Sequence, residues 1–269
     1  MTLGHVSYLD PEMIGLHELL LKRFGDRYAL NLRGGAPLQL NFEAPHSYGP
    51  ASKCADCPAT KYRQDLPFWQ GALPKRYMLV AQDAGKGEEH PDRPEFNTVF
   101  SIHRLFNEPQ AYLKEARHAR YHAYLRSLLP EADDLGSMYF TDLVKCAFST
   151  GGMDAAACPC RSDLLAEMAA VRPQVVVFFG SQAFAAGRAM LEAQGFAFQA
   201  LGEPVRVRVN KSRELTIQMG RCAGRKELFL GIPQLGQNRY SNEGYARMLE
   251  VMRAQVRPVI MQHLSDPVD

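Results

Sequence analysis

The sequence predicts an α/β protein built on a parallel sheet, and three observations carry that expectation. Residues 138–144 (MYFTDLV) form a short run rich in β-branched and aromatic side chains, which suits a strand. Residues 161–171 place Leu164, Leu165, Met168 and Val171 at the spacing of a helix face, and Arg172-Pro173 stops that helix. Residues 174–180 then read as a strand whose apolar middle shows no alternation, as expected when both faces are covered. Strand, helix and buried strand make a βαβ unit, with Cys146, Cys158 and Cys160 at its entry.

At 269 residues with 46% hydrophobic content, the chain can build a substantial core. No repeat and no long linker divides it, so an N-terminal extension with a helix (residues 1–50) and one domain (residues 51–269) are expected. The formal charge of +2 neither demands nor excludes a polyanion, so the distribution of charge matters more than the total. No apolar run approaches the ~20 residues of a membrane span. The first residues lack the layout of a secretory signal. A cytoplasmic protein with no membrane partner is expected, its six cysteines serving as thiols or metal ligands.

In chain order, residues 11–24 read as an amphipathic helix, with Met13, Leu16, Leu19, Leu20 and Phe24 on one side. Residues 32–50 are irregular, and Cys54 and Cys57 follow in a polar loop. Residues 77–82 (YMLVAQ) are the first strong strand, leading into Asp83-Ala84-Gly85-Lys86-Gly87-Glu88-Glu89. Loops at the carboxyl ends of parallel strands are where α/β sheets bind ligands, so this loop is the first functional suspect. Residues 98–106 and 111–129 read as helices, the second rich in Arg117, His118, Arg120, His122 and Arg126. After the central unit come a helix (181–194) and a hairpin (205–209 and 215–219) turning on Asn210-Lys211-Ser212-Arg213. A last strand (228–232), the loop from Pro233 through Gln234 to Arg239, and a closing helix (242–256) complete the chain. Residues 206–226 hold seven Lys/Arg against one acid, Glu214. Such a cluster is either a solvated hairpin or a phosphate contact.

Cys54 and Cys57 have the spacing of a chelating pair, and Cys146 and Cys160 would complete a tetrathiolate. Spacing does not separate zinc from an iron–sulfur cluster, since both accept four thiolates. Cys158 is an alternative ligand or a spectator, and Cys222 reads as structural.

Taken together, CxxC, AQDAGKGEE, YFTDLVKC and a cysteine leading a helix into RPQVVVFFG resemble the uracil-DNA glycosylase superfamily. The closest branch carries a four-cysteine 4Fe–4S cluster, and the resemblance spans roughly residues 54–252. It implies a three-layer α/β/α sandwich around a short parallel sheet, and it selects Cys160 over Cys158 as the fourth ligand. The iron–sulfur branch has a GEAPG-type first motif and the uracil enzymes proper have GQDPY. Ala81-Gln82-Asp83-Ala84-Gly85 is a hybrid of the two. By this resemblance Asp83 stands at the water-activating position and Glu88 matches an acid further along the loop. Phe96 matches the aromatic on which the extruded base stacks. The second motif, HPS-like in the family, falls at Gln234-Leu235-Gly236, without the histidine.

Cleaving an N-glycosidic bond develops positive charge on the sugar and negative charge on the base. A carboxylate that orients water and donors to the base oxygen both help. The base must also leave the stack and be read on its edge. Asp83, Phe96 and the backbone N–H groups from Gln82 to Gly85 would take these roles, with the Gln234 amide in place of the histidine. Loss of one such donor typically costs about 3 kcal/mol. The family also commonly has asparagine before VKC, where this chain has Asp142. An ionised carboxylate only accepts hydrogen bonds, so it suits an amino-bearing base better than uracil unless it is protonated.

The expectation is therefore a monomeric DNA glycosylase-like enzyme acting on a non-standard base in single- or double-stranded DNA. Arg206, Arg208, Lys211, Arg213 and Arg239 are its expected DNA contacts. A non-catalytic iron–sulfur nucleic-acid-binding module of the same fold is the alternative. A zinc-stapled α/β protein with an unrelated ligand is the third reading.

Overall fold

Alternation of apolar runs with glycine- and proline-marked breaks gives the chain its elements. A computed structural model describes residues 68–69, 74–83, 116–144, 161–234 and 240–266. In chain order these hold β1 (Phe68–Trp69), β2 (Tyr77–Asp83), α1 (Ala116–Leu128), β3 (Met138–Val144) and α2 (Arg161–Val171). Then come β4 (Val175–Phe179), α3 (Ser181–Ala193), β5 (Phe198–Ala200), β6 (Val205–Asn210), β7 (Arg213–Cys222) and β8 (Leu228–Ile232). The chain closes with α4 (Asn242–Val251), a π-helical stretch (Met252–Val256) and α5 (Arg257–Ser265). The expected helices at 11–24 and 98–106 lie outside the described residues, as does the CxxC loop.

These elements fall into two compact units. The first holds β1, β2, β3 and α2. There β2 and β3 run parallel, in register from Tyr77 opposite Met138 to Asp83 opposite Val144. β1 lies antiparallel on the other edge of β3, Phe68 opposite Phe140. Every residue of β3 is buried, as are Tyr77, Met78, Leu79 and Val80 of β2. Strands covered on both faces do not alternate polar and apolar positions, and Tyr77–Val80 and Met138–Phe140 are accordingly apolar and aromatic runs, with Thr141 and Asp142 buried further along β3. α2 packs on β3 and ends at Arg172, whose φ of 48° is the left-handed cap that precedes Pro173. Lys75 is 2% exposed, yet its ammonium donates to the Gly136 carbonyl at 2.8 Å and its N–H donates to Val171 at 3.1 Å. A buried charge needs such partners. These two tie the entry of β2 to the start of β3 and the end of α2.

In the second unit the strand order is β4, β8, β7, β5, with β6 also on β7. β4 and β8 are parallel, from Val175 opposite Leu228 to Phe179 opposite Ile232, and both are buried along their whole length. β5, β6 and β8 all pair antiparallel with β7. The structure is thus α/β with a mixed set of strands. β3, β4 and β8 are buried throughout and β2 over Tyr77–Val80, and these four form the parallel pairs, while β5, β6 and β7 are partly exposed. α3 packs on β4 and β8 through missing side chains. A Cβ on Gly231 would fall 2.4 Å from the Phe184 ring, and one on Gly187 would fall 2.4 Å from the Phe178 ring.

The closing helix differs from its sequence reading, which ends it at Val256. The helical course continues to Ser265 through the π-helical stretch. Pro258 lacks an N–H and crowds the turn before it, and a widened turn just upstream accommodates that ring. The continuation brings in His263, which is buried. Its Nδ1 accepts from the Arg221 guanidinium at 3.1 Å, so its Nε2 carries the proton and donates to the Gln174 carbonyl at 3.0 Å. Burial, more than the neighbouring Arg221, pushes the imidazole below its ordinary pKa, against the opposing pull of the Gln174 hydrogen bond.

A histidine with a lowered folded-state pKa stabilises the fold above its unfolded value of about 6.5, and that stability is lost as pH falls through the folded value. Urea midpoints are therefore expected to drop from pH 8 to pH 5, and His263→Gln is expected to flatten part of that drop. A drop of equal size in both proteins would count against this role for His263.

Candidate functional site

Both parallel pairs deliver polar residues where their buried strands end. In the first unit, Asp83 is the last residue of β2 and stands opposite Val144. Asp142 stands opposite Ala81 on the neighbouring strand and is only 4% exposed. Residues side by side in a sheet share a face, so the small Ala81 methyl is beside the Asp142 carboxyl. Gln82 is half-buried and, by the period-two alternation, points to the opposite face from Asp142. Its side chain and that carboxyl therefore do not converge, and the part of Gln82 expected to act is its backbone N–H. Gly85, Glu88, Phe96, Cys54, Cys57, Cys146, Cys160 and Arg239 lie outside the described residues.

In the second unit, β4 ends in Phe179-Gly180 and β8 ends in Ile232-Pro233-Gln234. The Gly180 N–H donates to the Ile232 carbonyl at 2.7 Å, locking the two strand ends together. Gly180 has φ 103° and ψ 147°, a region that only glycine occupies readily, and α3 starts at the next residue. A methyl at Gly180 would meet the Gln234 Cβ at 3.6 Å and Oε1 at 3.7 Å, ordinary contacts. Backbone conformation, not space, is what demands glycine here. Gln234 itself is exposed beside this elbow.

Tyrosines hold the exit of β8. Tyr124 of α1 is wholly buried, and its hydroxyl donates to the Pro233 carbonyl at 2.8 Å. Burial, reinforced by Tyr240, Tyr121 and Tyr245 nearby, raises its pKa well above the ordinary phenol value, so it stays a donor. The Tyr240 hydroxyl donates to the next carbonyl, that of Gln234, at 2.7 Å. Tyr121 packs its ring 6.1 Å from that of Phe179. Sequence reasoning missed these tyrosines. Tyr121 and Tyr124 share one helix face, which is legible, but Pro233 is 109 residues further along the chain.

The basic residues divide into two groups. On α1, Arg120 lies 4.8 Å over the Tyr245 ring and donates to the Asn242 side chain at 2.9 Å, while the Tyr245 hydroxyl donates to the Arg120 carbonyl. Burial pushes the Tyr245 phenol up to about 12. His122 and Arg126 both contact Asp133 at 3.2 Å. Arg120 is thus tied into the fold, whereas the contacts of His122 and Arg126 to the exposed Asp133 contribute little. The hairpin behaves differently. Val207, Val209 and Ile217 are buried, while Arg206, Arg208 and Lys211 point to solvent. Arg206 meets Glu214 at 3.4 Å, an exposed pair that contributes little. The Asn210 side chain accepts from the Ser212 N–H at 3.0 Å, the turn that the sequence indicates.

α4 seals the inner face of this hairpin. A Cβ on Gly244 would fall 1.9 Å from the Val209 carbonyl oxygen, so no larger residue fits. Val209 sits at a register shift, and its carbonyl accepts from the Ser241 hydroxyl at 3.2 Å. The same hydroxyl accepts from the Gly244 N–H at 3.0 Å and caps α4. Arg213 extends its guanidinium to 5.5 Å from the centre of the Tyr240 ring. Cys222 is a buried thiol at the end of β7, its pKa raised by burial, which fits the structural reading. No helix among the described residues is long and apolar enough to cross a membrane.

A scan of protein-family models and a search of curated proteins find no match to this chain.

Tyr124→Phe keeps the ring and strands the buried Pro233 carbonyl. A loss of about 1–3 kcal/mol in unfolding free energy is expected in denaturant titrations. A loss within measurement error would show that water or another donor already serves that carbonyl.

Proposed function

We propose that this protein is a DNA glycosylase-like enzyme that hydrolyses the N-glycosidic bond of an extruded, non-standard base in DNA. The observation that supports this most is the buried carboxyl of Asp142, one strand over from the Gln82-Asp83 end of β2. Open parallel sheets bind ligands beyond the carboxyl ends of their strands, and the resemblance to the uracil-DNA glycosylase superfamily implies acidic and base-reading residues in that part of the chain. The exposed arginines of the β6–β7 hairpin supply a surface for phosphates. The three-layer sandwich implied by the same resemblance is part of this proposal.

In the proposed reaction the bond from sugar to base breaks and its electron pair leaves with the base. Asp83 orients a water molecule, takes its proton as it adds to the sugar, and offsets the positive charge that develops there. Asp142 accepts from an exocyclic amino group, a group that uracil lacks. Phe96 stacks on the base, Glu88 supports the acidic loop, and the Gln234 amide donates to the base oxygen as negative charge grows. Cys54, Cys57, Cys146 and Cys160 would hold a 4Fe–4S cluster, or zinc, since four thiolates suit both. Cys146 follows β3 by two residues and Cys160 directly precedes α2, the helix packed on β3. When bound, such a group would tie loop to core and supply folding free energy.

A non-catalytic nucleic-acid-binding module is the second reading, favoured by Gln234 where the family has histidine. Base release separates the two. Oligonucleotides bearing uracil, hypoxanthine, xanthine, cytosine and modified pyrimidines are the panel. Release is expected from an amino-bearing or modified base, falling about a hundredfold or more in Asp83→Ala. Uracil released fastest, with Asp142→Asn changing little, would reject the proposed base preference. Binding without release of any base would support the module. Visible absorption of the purified protein distinguishes iron–sulfur from zinc.

Binding to either strand form should weaken with salt through counterion release. Replacing Arg206 and Arg208 together is expected to reduce the slope of log affinity against log salt by roughly 1–2. An unchanged slope would remove the hairpin from the interface.

A further inference from the structure

We propose that Tyr240 is a positioning residue that couples the basic β6–β7 hairpin to Gln234. This rests on the role given to Gln234 above. Two contacts made by one side chain carry it. The Tyr240 hydroxyl donates to the Gln234 carbonyl at 2.7 Å, and its ring lies 5.5 Å beneath the guanidinium of Arg213. Arg213 opens β7 directly after the hairpin turn, so a phosphate drawn to that turn acts on the residue seated on Tyr240. Arginine can lie against an aromatic ring and still offer N–H donors to a phosphate oxygen.

Tyr240 is suited to this because its own backbone is anchored. Ser241, the next residue, caps α4 and donates to the Val209 carbonyl, and Gly244 brings α4 into contact with that same peptide. Gln234 is held from the other side, since Tyr124 fixes the preceding carbonyl at 2.8 Å and the Gly180 elbow backs its side chain. The carbonyls of Pro233 and Gln234 are therefore gripped by two phenols, one buried and one reaching toward the hairpin. The second is in contact with Arg213, one of the expected DNA contacts. Binding energy gained at the phosphate is thereby used to orient a donor at the base, which is how contacts remote from the reacting bond raise turnover.

The test uses the full chain with Tyr240→Phe, which removes the hydroxyl and keeps the ring, Arg213→Ala, and the double variant. Tyr240→Phe is expected to lower kcat for base release about tenfold with KM nearly unchanged. Arg213→Ala is expected to raise KM and lower kcat severalfold, and the double variant is expected to match Tyr240→Phe in kcat. A purely structural tyrosine would shift the melting midpoint without that split. Hydrogen exchange at the Gln234 and Tyr240 amides gives a readout independent of catalysis. An undamaged oligonucleotide is expected to slow it in the natural protein but not in Arg213→Ala, while Tyr240→Phe speeds it without oligonucleotide. Exchange that ignores both substitutions, or additive effects on kcat, would overturn the coupling. If the natural protein releases no base, the glycosylase reading fails and the exchange comparison still decides the coupling.

Discussion

Burial of β2, β3, β4 and β8 on both faces governs where polar chemistry can sit in this protein. A strand enclosed in this way offers its ladder groups to its neighbours and its side chains to apolar layers. Polar atoms become affordable chiefly where the strand stops. Gly180 shows the consequence most directly. At the end of β4 the backbone turns through a conformation reserved for glycine and starts α3, while its N–H closes onto Ile232 of β8. Pro233 then presents a carbonyl in a buried setting, and the phenol of Tyr124 meets it. Because burial keeps that phenol protonated, the contact is insensitive to pH in the ordinary range.

Charge is organised by the same contrast between enclosed and open surfaces. Arg120, on a helix packed against the closing helical segment, lies on the Tyr245 ring and bonds Asn242. Arg206 and Arg208, on the outer face of a hairpin whose inner face is sealed by α4, remain toward solvent. Side chains of one type thus serve the interior in one place and the exterior in another. Orientation relative to a packed neighbour decides which, and that follows from the alternation of Val205, Val207 and Val209 with the arginines between them.

The proposed chemistry leans first on the carboxyl groups at the β2–β3 end. Asp142 is its most demanding element. A carboxyl 4% exposed sits in a strand that otherwise carries apolar and aromatic residues and one threonine. Tyr240 adds a route by which contact with a phosphate would be felt at the base.

By itself the sequence determined the elements. The strands at 138–144 and 228–232 and the helix at 161–171 have the observed bounds, because β-branched, aromatic and apolar content and helical spacing are local properties. It also located the hairpin, since Asn210 and Ser212 make their turn within three residues. Strand β1 and the passage of the closing helix beyond Pro258 were not legible. Two residues carry no period, and a proline reads as a stop unless a widened turn relieves it. Only the tertiary structure decided that Arg120 is tied into the helix packing while Arg208 is exposed, that Gln82 and Asp142 face opposite sides of their sheet, and that two tyrosines hold the β8 exit. Each of these depends on partners brought together by strand register and helix packing across long stretches of chain, and no local pattern of residue types encodes such a meeting.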